Sequence, residues 1–576
     1  MPSQLHRALN LAVTFIALTS STHAQIMAAP GAVAVPQGPT VTEHLTASVV
    51  NSVTGQPVAG VLVTSPGRPL AVLTDSQGHF PFDLTRAAQP AAGTSPMSLQ
   101  LVFQLRKPGY LTRSALASVQ SYAGAAVPSI ELSIKPAASI SGRIQSEDGI
   151  LPPQVQVALF RHQVLQGKAS WLQSQVVQTN SHGEYRFFDL LPGSYKVAAF
   201  TSAPENRGQT QAPSIAALLP AFYPNADTVD AASPIHAAAG ESASANLTLR
   251  SAPLYRVVVP VVVSALHGRA SAEKGPLQFN GVQPLLISHP LGFDLHYDSR
   301  INAVTGYLPS GSYDLRLLSG DPSAFISSVT VHLNVAQMPV DTGPIALQPA
   351  AHVAMYVRWD SSTATSSDAR PQYSYSFTSV EPGTEFQSRS RQRSNNSADP
   401  NTSAIDLTEG VYRFLLQPNR GYVASASSGA TDLLREPLRV GPAQSPQPIQ
   451  VSIREDVAAL RIALTDPAGL DSTSATGLRS EQLAAILCIP LDQPAREPIT
   501  QFILISSAVN SGTSFGNLAP GRYLVLASRQ DDQIGFSPEY RNPDVLPTLL
   551  SKGVVVTLSP NDNASITVPL LPAEAQ

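Results

Sequence analysis

One short string occurs four times in this 576-residue sequence, and it constrains the fold more than any other feature. The four copies are LLPGSYKV at 190–197, LPSGSYDL at 308–315, LTEGVYRF at 407–414 and LAPGRYLV at 518–525. The glycines of successive copies are 118, 99 and 111 residues apart. Each interval is the length of one small domain, so the sequence predicts a tandem array.

The residues of the string indicate a turn that leads into a strand. Proline fixes φ and glycine accepts φ > 0, so Pro-Gly favours a tight turn. The tyrosine then opens a strand whose alternate residues, as in Tyr195, Val197 and Ala199, face inward. The strand EYRFF at 184–188 precedes the turn. Each copy closes with a further alternating run, at 245–249, 343–347, 448–453 and 564–568.

The start of the chain carries a variant of this pattern. Its turn signals are TGQPVAGV at 54–61, TDSQGHF at 74–80 and KPGY at 107–110. Helical periodicity is scarce, and the best helix candidates are the short segments 480–487 and 212–219. The predicted fold class is therefore all-β, with a tandem array of about five Ig-like or transthyretin-like antiparallel β-sandwich domains.

The repeat also predicts where the domains begin and end. The predicted β-sandwich domains are 41–135, 136–250, 251–350, 351–456 and 457–576. Within the fourth domain, the Ser-, Asn- and Arg-rich segment 361–403 is predicted to be a long loop. Residues 25–40, rich in Pro, Gly and Ala, are predicted to be a flexible leader.

The first 24 residues have the pattern of a secretory signal peptide. His6 and Arg7 precede an apolar stretch at 9–18 that is too short to span a bilayer, and Thr-His-Ala at 22–24 offers small residues for cleavage. The most apolar later run, VVVPVVV at 257–263, has the length of a strand. The mature protein is therefore predicted to be exported, to the periplasm or the extracellular space, and not to span the membrane.

Composition excludes some functions. Only 13% of the residues are charged and the net charge is −4, which excludes a nucleic-acid binder that relies on clustered Lys and Arg. The 43% hydrophobic residues are enough for sizeable cores. A single cysteine, Cys488, can form neither an internal disulfide nor a cysteine-based metal site, and its apolar run at 484–489 predicts a buried thiol.

The first two predicted domains resemble a known family. The strings GQPVAGVLV (55–63), LTDSQGHF (73–80) and KPGY (107–110), then SISGRI (139–144) and 178–200, resemble the carboxypeptidase regulatory-like domain, a transthyretin-like sandwich among the carbohydrate-binding-like folds. The resemblance implies a non-catalytic module that accompanies another protein. A zinc carboxypeptidase is not indicated, because none of the twelve histidines is followed by Glu at the third position.

Searches for catalytic and metal sites give no candidate. GTSFG at 512–516 matches G-x-S-x-G, but no histidine follows Ser514, since the last one is His352, and we expect an ordinary strand. The segments 74–78, 146–149 and 530–532 hold one or two carboxylates each, too few for calcium, and turn chemistry explains them. We predict no catalytic residue, no metal and no cofactor.

Four aromatic residues are the best candidates for binding carbohydrate. Tyr373 and Tyr375 alternate along one strand face and could form a platform with Trp359, and Trp171 is the second tryptophan. A sugar ring stacks on such aromatic faces while polar groups hold its hydroxyls. The alternative for each of these residues is packing in a sandwich core.

These observations favour a non-catalytic, exported scaffold or binding protein. Its expected partner is a polysaccharide or a cell-envelope protein, and a role beside an outer-membrane assembly stays open. The rival hypothesis is a secreted hydrolase or its accessory subunit, with chemistry assembled from scattered residues such as His182, Glu184 and Asp189, although no spacing supports it.

Overall fold

The computed structural model consists almost entirely of β-strands. The structure describes residues 40–88, 98–120, 129–149, 155–201, 213–262, 282–286, 291–319, 326–360, 372–380, 388–392, 402–441, 445–465, 477–479, 483–494, 496–505, 512–530 and 537–572. The predicted signal peptide and nearly all of the predicted leader lie outside these residues. No helix in the described ranges is long and apolar enough to cross a membrane.

Five large hydrophobic cores follow one another along the chain. They are built from residues 47–134, 138–249, 254–347, 351–453 and 458–570. We call the surrounding segments the first to fifth units. The prediction of a tandem all-β array of sandwiches is thereby confirmed, whereas the domain boundaries stay a prediction.

The first two units contain seventeen strands. In the first unit these are β1 (Thr40–Asn51), β2 (Leu62–Ser65), β3 (Leu70–Leu73), β4 (His79–Ala87), β5 (Ser98–Arg106), β6 (Arg113–Gln120) and β7 (Ser129–Ile134). In the second they are β8 (Ala138–Ser146), β9 (Gln156–Leu165), β10 (Lys168–Gln178), β11 (Glu184–Leu190), β12 (Gly193–Phe200), β13 (Ser214–Leu218), β14 (Ala221–Phe222), β15 (Ile235–Ala237), β16 (Ser242–Ser244) and β17 (Leu247–Leu249).

The third and fourth units continue in the same way. The third holds β18 (Ser251–Val262), β19 (Val282–Leu286), β20 (His296–Asp298), β21 (Ala303–Pro309), β22 (Gly311–Ser319), β23 (Ile326–Ser327), β24 (Val331–Val335), β25 (Val340–Asp341), β26 (Ile345–Ala346) and β27 (Gln348–Pro349). The fourth holds β28 (Ala351–Asp360), β29 (Tyr373–Ser379), β30 (Ser388–Gln392), β31 (Thr402–Leu407), β32 (Gly410–Pro418), β33 (Tyr422–Ser428), β34 (Thr431–Asp432), β35 (Leu438–Val440) and β36 (Ile449–Arg454).

The fifth unit adds eight strands and one short helix. They are β37 (Ala458–Thr465), β38 (Gly477–Arg479), β39 (Leu483–Pro490), β40 (Ile499–Leu504), β41 (Thr513–Leu518), β42 (Gly521–Arg529), α1 (Leu546–Lys552), β43 (Val554–Leu558) and β44 (Asn563–Leu571).

Two sheets enclose each of the first four cores. The sheet orders are β7-β1-β4 with β3-β2-β5-β6, β10-β9-β12-β14 with β11-β8-β16, β13-β18-β21-β20 with β19-β22-β23-β27, and β31-β28-β36-β33-β34 with β30-β29-β32-β35. In the fifth unit β44 pairs with both β37 and β42, so one sheet of seven strands, ordered β40-β39-β42-β44-β37-β41 with β43 also paired to β42, supplies both sides of the core. β13 lies in the predicted second domain but pairs with β18 of the third unit.

Most strand pairs are antiparallel, but one parallel pair recurs in every unit. The first strand of each unit pairs in parallel with a strand near that unit's end. These pairs are β1 with β7, β8 with β16 and β17, β18 with β25 and β26, β28 with β36, and β37 with β44. Each unit is therefore entered and left through neighbouring strands that run in the same direction.

The repeated string forms the predicted turn, and its tyrosine is buried in all four copies. Each tyrosine hydroxyl donates a hydrogen bond to the backbone carbonyl four residues earlier; the donor and acceptor pairs are Tyr195–Leu191, Tyr313–Pro309, Tyr412–Thr408 and Tyr523–Ala519. The string thus fixes the turn and the strand that follows it with one internal bond. In the last copy Gly521 has φ 141°, a conformation that favours glycine.

Three local predictions were wrong. Two helix candidates are strands where the structure describes them: residues 214–218 of the candidate 212–219 form β13, and residues 483–487 of the candidate 480–487 belong to β39. β39 lacks strand-like alternation because both its faces are buried, one in the main core and one beneath α1. The segment 361–403, predicted to be a loop, contains β29 and β30, which pair with each other.

Candidate functional site

A groove lies where the first and second units meet. The KPGY turn of the first unit is tied to the connecting segment after β7 by two backbone hydrogen bonds: Leu111 N donates to Lys135 O at 2.9 Å, and Ala137 N donates to Gly109 O at 2.9 Å. Tyr110 and Pro136 also form an isolated β-bridge. The groove beside this junction has a volume of about 860 Å³, within the usual range for small-molecule sites.

Phe188 is the most conspicuous residue that lines the groove. It follows Phe187 in β11, and successive side chains of a strand point to opposite faces, so Phe187 is fully buried while Phe188 is 64% exposed. The next residue, Asp189, has φ 55°, and the register of β11 against β8 shifts between Phe187 and Leu190. At this local bulge two consecutive residues, the aromatic Phe188 and the acidic Asp189, both line the groove.

Polar groups from both units complete the lining. Asn51 and the half-buried Tyr110 come from the first unit, and Lys107 Nζ lies 5.7 Å from the centroid of the Tyr110 ring. From the second unit, Arg186 lies near Ser139, with 3.5 Å between its Nη2 and the serine Oγ. The groove thus combines two aromatic rings with a carboxylate, a guanidinium and an amide.

This set of groups suits recognition by stacking and hydrogen bonding. An aromatic ring can cover the apolar face of a sugar, and carboxylate, amide and guanidinium groups can bond its hydroxyls. In the part of the chain that the structure describes, no three His, Cys, Asp or Glu residues are grouped as metal ligands.

Of the three residues named in the hydrolase hypothesis, only Asp189 lines the groove. His182 lies in the turn before β11 and Glu184 is the first residue of that strand; Asn180 Oδ1 accepts both of their backbone N–H groups at 2.9 Å. The Glu184 carboxylate in turn accepts a bond from Asn180 Nδ2 at 3.0 Å. The Glu184 carboxylate therefore stabilises a turn, as an Asx-type motif does.

The structure places Tyr373 and Tyr375 inside the core of the fourth unit. Each is 3% exposed, and the Tyr375 hydroxyl bonds Ser403 Oγ at 2.8 Å and Ala404 O at 3.2 Å. Their strand β29 lies between β30 and β32, so its alternate side chains face the opposite sheet. The two tyrosines do not form a stripe that faces solvent; they pack in the sandwich core, which was the alternative considered for them.

The two tryptophans lie apart from each other. Trp359 is half-buried and packs against the same core as the two tyrosines. Trp171 is half-buried on β10 of the second unit, with Lys196 Nζ 4.5 Å from its ring centroid and the His162 ring 5.0 Å away. Carbohydrate binding by these two residues stays a prediction.

Lys196 and Cys488 are buried groups with altered acidity. Desolvation lowers the pKa of Lys196, partly offset by the charge of Asp230, and its ammonium donates to Val229 O at 2.6 Å. Burial raises the pKa of the Cys488 thiol to about 12. Lys196 is thus held by carbonyl and aromatic groups, and Cys488 is a core residue, as its apolar run predicts.

Phe188 and Tyr110 are not among the site residues predicted from sequence. Both lie in strings that were read only as strand and turn signals. A usable signal was present at Phe188, because two adjacent phenylalanines in one strand cannot both face the same core. Tyr110 carries no comparable signal, since its place in the groove depends on how the connecting segment docks.

Comparisons with known proteins add little to this description. No protein-family model and no curated protein matches the sequence, and the carboxypeptidase regulatory-like resemblance is not confirmed. Among solved structures, the Bacillus anthracis TIE protein is 8% identical, with 92% of this chain and 75% of that chain covered and a TM-score of 0.15. Two B repeat units of the Staphylococcus aureus collagen-binding protein are 11% identical, with 75% of this chain and 99% of that chain covered and a TM-score of 0.14. The shaft pilin SpaA of Lactobacillus rhamnosus GG is 11% identical, with 37% of this chain and 98% of the pilin covered and a TM-score of 0.19. These scores are too low to support any functional inference.

Proposed function

We propose that this protein is a non-catalytic binding scaffold and that the groove between its first two units binds carbohydrate. The observation that carries the proposal is Phe188, a large apolar side chain held 64% exposed beside a groove of about 860 Å³. An exposed aromatic ring has little value for stability, but it is the usual platform for a sugar.

The neighbouring groups favour a sugar over a purely apolar ligand. Arg186, Asp189 and Asn51 offer donors and acceptors to hydroxyl groups, and the opposite charges of the first two leave no strong net charge in the groove. Such a site selects neutral, hydroxyl-rich ligands rather than anions or hydrocarbon chains.

We further propose that the protein is exported and works outside the cytoplasm, in the periplasm or beyond the cell. The signal-peptide pattern at 1–24 supports this location. A polysaccharide of the cell envelope is then the expected partner.

The test is titration of the purified chain with a panel of soluble glycans, followed by calorimetry or NMR on any ligand found. Phe188→Ala is expected to weaken binding by roughly tenfold, since a stacked aromatic ring is worth about 0.5–1.5 kcal/mol beyond its buried area. Phe502→Ala is the matched control, because Phe502 is 43% exposed in the fifth unit.

Asp189→Asn tests the polar part of the site. Asparagine tolerates the positive φ of this position, so the variant removes the charge and keeps the backbone. Weaker binding with an unchanged fold would support a hydrogen bond from the sugar to this carboxylate. If no glycan binds at millimolar concentration, or if Phe188→Ala and Phe502→Ala behave alike, the carbohydrate proposal is wrong and only the scaffold role is left.

A further inference from the structure

The tip of the β9–β10 hairpin in the second unit contacts residues far away in sequence. Gln166 and Gly167, its two central residues, have φ values of 49° and 77°, as a tight hairpin turn requires. Arg541 N in the fifth unit donates to Gly167 O at 3.0 Å, and Ser537 Oγ donates to Val164 O at 3.0 Å. The partners in the second bond are 373 residues apart.

Gly167 fits its partner closely. A Cβ atom at this position would lie 2.5 Å from Cζ of Tyr540, well inside contact distance. The Tyr540 ring therefore lies directly against the glycine backbone, and Cζ of Arg541 lies over the same ring, 5.0 Å from its centroid. Only glycine both adopts this turn and leaves room for the ring.

Charged side chains fasten the tip from two units. Arg541 donates to Gln166 O and, through Nη2, to Glu497 Oε1 at 3.1 Å, while the Tyr540 hydroxyl donates to Glu497 Oε2 at 3.2 Å. From the fourth unit, Arg413 Nη1 donates to Gln166 Oε1 at 2.7 Å. The Arg541–Glu497 ion pair is largely buried, with 12% and 29% of the two side chains exposed.

A second, separate contact also joins the fifth unit to the start of the chain. β38 pairs in parallel with β7, so that Gly477–Arg479 extends a sheet of the first unit. The fifth unit thus contacts both the first and the second unit, although three complete units separate it from the first in sequence and two separate it from the second.

We propose that residues 165–168 form an intramolecular latch that holds the fourth and fifth units on the second and keeps the five-unit chain closed instead of extended. The latch consists of the hairpin tip, and its receptor consists of Arg413, Glu497, Ser537, Tyr540 and Arg541. Consecutive units are joined by short connections, so the latch, together with the pairing of β38 with β7, holds the far end of the chain folded back.

Two variants open the latch by different means. Gly167→Val places a side chain against the Tyr540 ring, and Gly67→Val is its control, because Gly67 has φ 76° in another hairpin and nothing within 4 Å of its Cβ position. Arg541→Ala removes the fastening side chain without changing the hairpin, and Arg522→Ala is its control, because Arg522 pairs with Asp492 inside the fifth unit.

Small-angle X-ray scattering and hydrogen exchange on the full chain measure the result. Each latch variant is expected to have a larger radius of gyration than its control, and Gly167→Val to show roughly tenfold faster exchange at the Arg541 amide than Gly67→Val. Expansion in either latch variant beyond its own control supports the proposal, so a folding failure of Gly167→Val leaves Arg541→Ala to decide. Unchanged dimensions in both, or equal expansion in the controls, would overturn it.

Discussion

The repeated tyrosine turn makes a quantitative prediction for Tyr523→Phe. Tyr523 is 3% exposed, and its hydroxyl donates to the carbonyl of Ala519, itself 2% exposed, at 2.8 Å. A net hydrogen bond contributes about 0.5–1.5 kcal/mol, and a buried acceptor left without a donor costs about 1–3 kcal/mol. We therefore expect the fifth unit to lose about 1–2 kcal/mol of unfolding free energy.

Another copy of the turn provides a graded comparison. In Tyr313→Phe the lost bond to Pro309 O is 2.9 Å long, but Pro309 is half-buried, so water can replace the donor. The expected loss is smaller, about 0.5–1 kcal/mol. Tyr356→Phe is the control, because Tyr356 is 43% exposed and a surface change of this kind costs within about 0.5 kcal/mol.

Hydrogen exchange with mass spectrometry suits this test because a chain with five cores does not unfold in one two-state step. The Tyr523→Phe loss corresponds to roughly 5- to 30-fold faster exchange, confined to peptides of the fifth unit. If exchange there changes no more than in Tyr356→Phe, or rises equally in every unit, the reasoning about the turn is refuted.

Three further outcomes follow from buried positions. Gly78→Ala should destabilise the first unit by about 1–3 kcal/mol more than Gly55→Ala, because both glycines have positive φ but only at Gly78 would a Cβ lie 2.6 Å from Val49 O. Hydrogen exchange in peptides of the first unit measures the difference, and equal losses would contradict the prediction. Burial raises the pKa of Tyr313 to about 12 in the folded protein. Below pH ~10 the tyrosine is protonated in both the folded and the unfolded state, so its contribution to the free energy of unfolding is intact. As pH rises from about 10 to 12 the unfolded state loses the proton first, so the free energy of unfolding falls. Unfolding followed by circular dichroism should show that Tyr313→Phe loses less stability between about pH 10 and 12 than the unmodified protein. An equal loss in both proteins would argue against this prediction. Burial raises the pKa of Cys488 to about 12, so a disulfide reagent at neutral pH should label it only in denaturant, and labelling of the native protein would disprove its burial.

Local chemistry made the turns and the strands beside them predictable. Glycine and the tyrosine two residues later are common to all four copies, and proline precedes the glycine in two of them, so the four turns could be located from sequence. The closing strands, such as β36, were found by their alternation. The same alternation predicted that Tyr195 faces inward, which its burial confirms.

Features that depend on distant partners could not be predicted. β39 looked like a helix at its start because α1, nearly sixty residues later, covers its outer face and removes the alternation. The segment 361–403 was predicted to be a loop because serine, asparagine and arginine dominate it, although Tyr373 and Tyr375 alternate within it as in a strand. β29 is a strand because it pairs with both β30 and β32, and β30 is a strand because it pairs with β29.

The candidate groove shows the same limit. The exposure of Phe188 was implicit in two adjacent phenylalanines, whereas the approach of Tyr110 required knowledge of how residues 135–137 dock on the preceding turn. The aromatic platform predicted in the fourth unit relied on correct alternation, but alternation alone does not say which face of β29 meets the core.

The parallel pairing of entering and leaving strands has a mechanical consequence. β28 and β36 pair over six positions and β37 and β44 over seven. When the chain is pulled from both ends, the two strands of each pair are drawn past one another, and all the bonds between them are stretched at once instead of opening one after another. Five such pairs in series would make the chain yield to tension in discrete steps, each unit giving way only when its whole ladder fails.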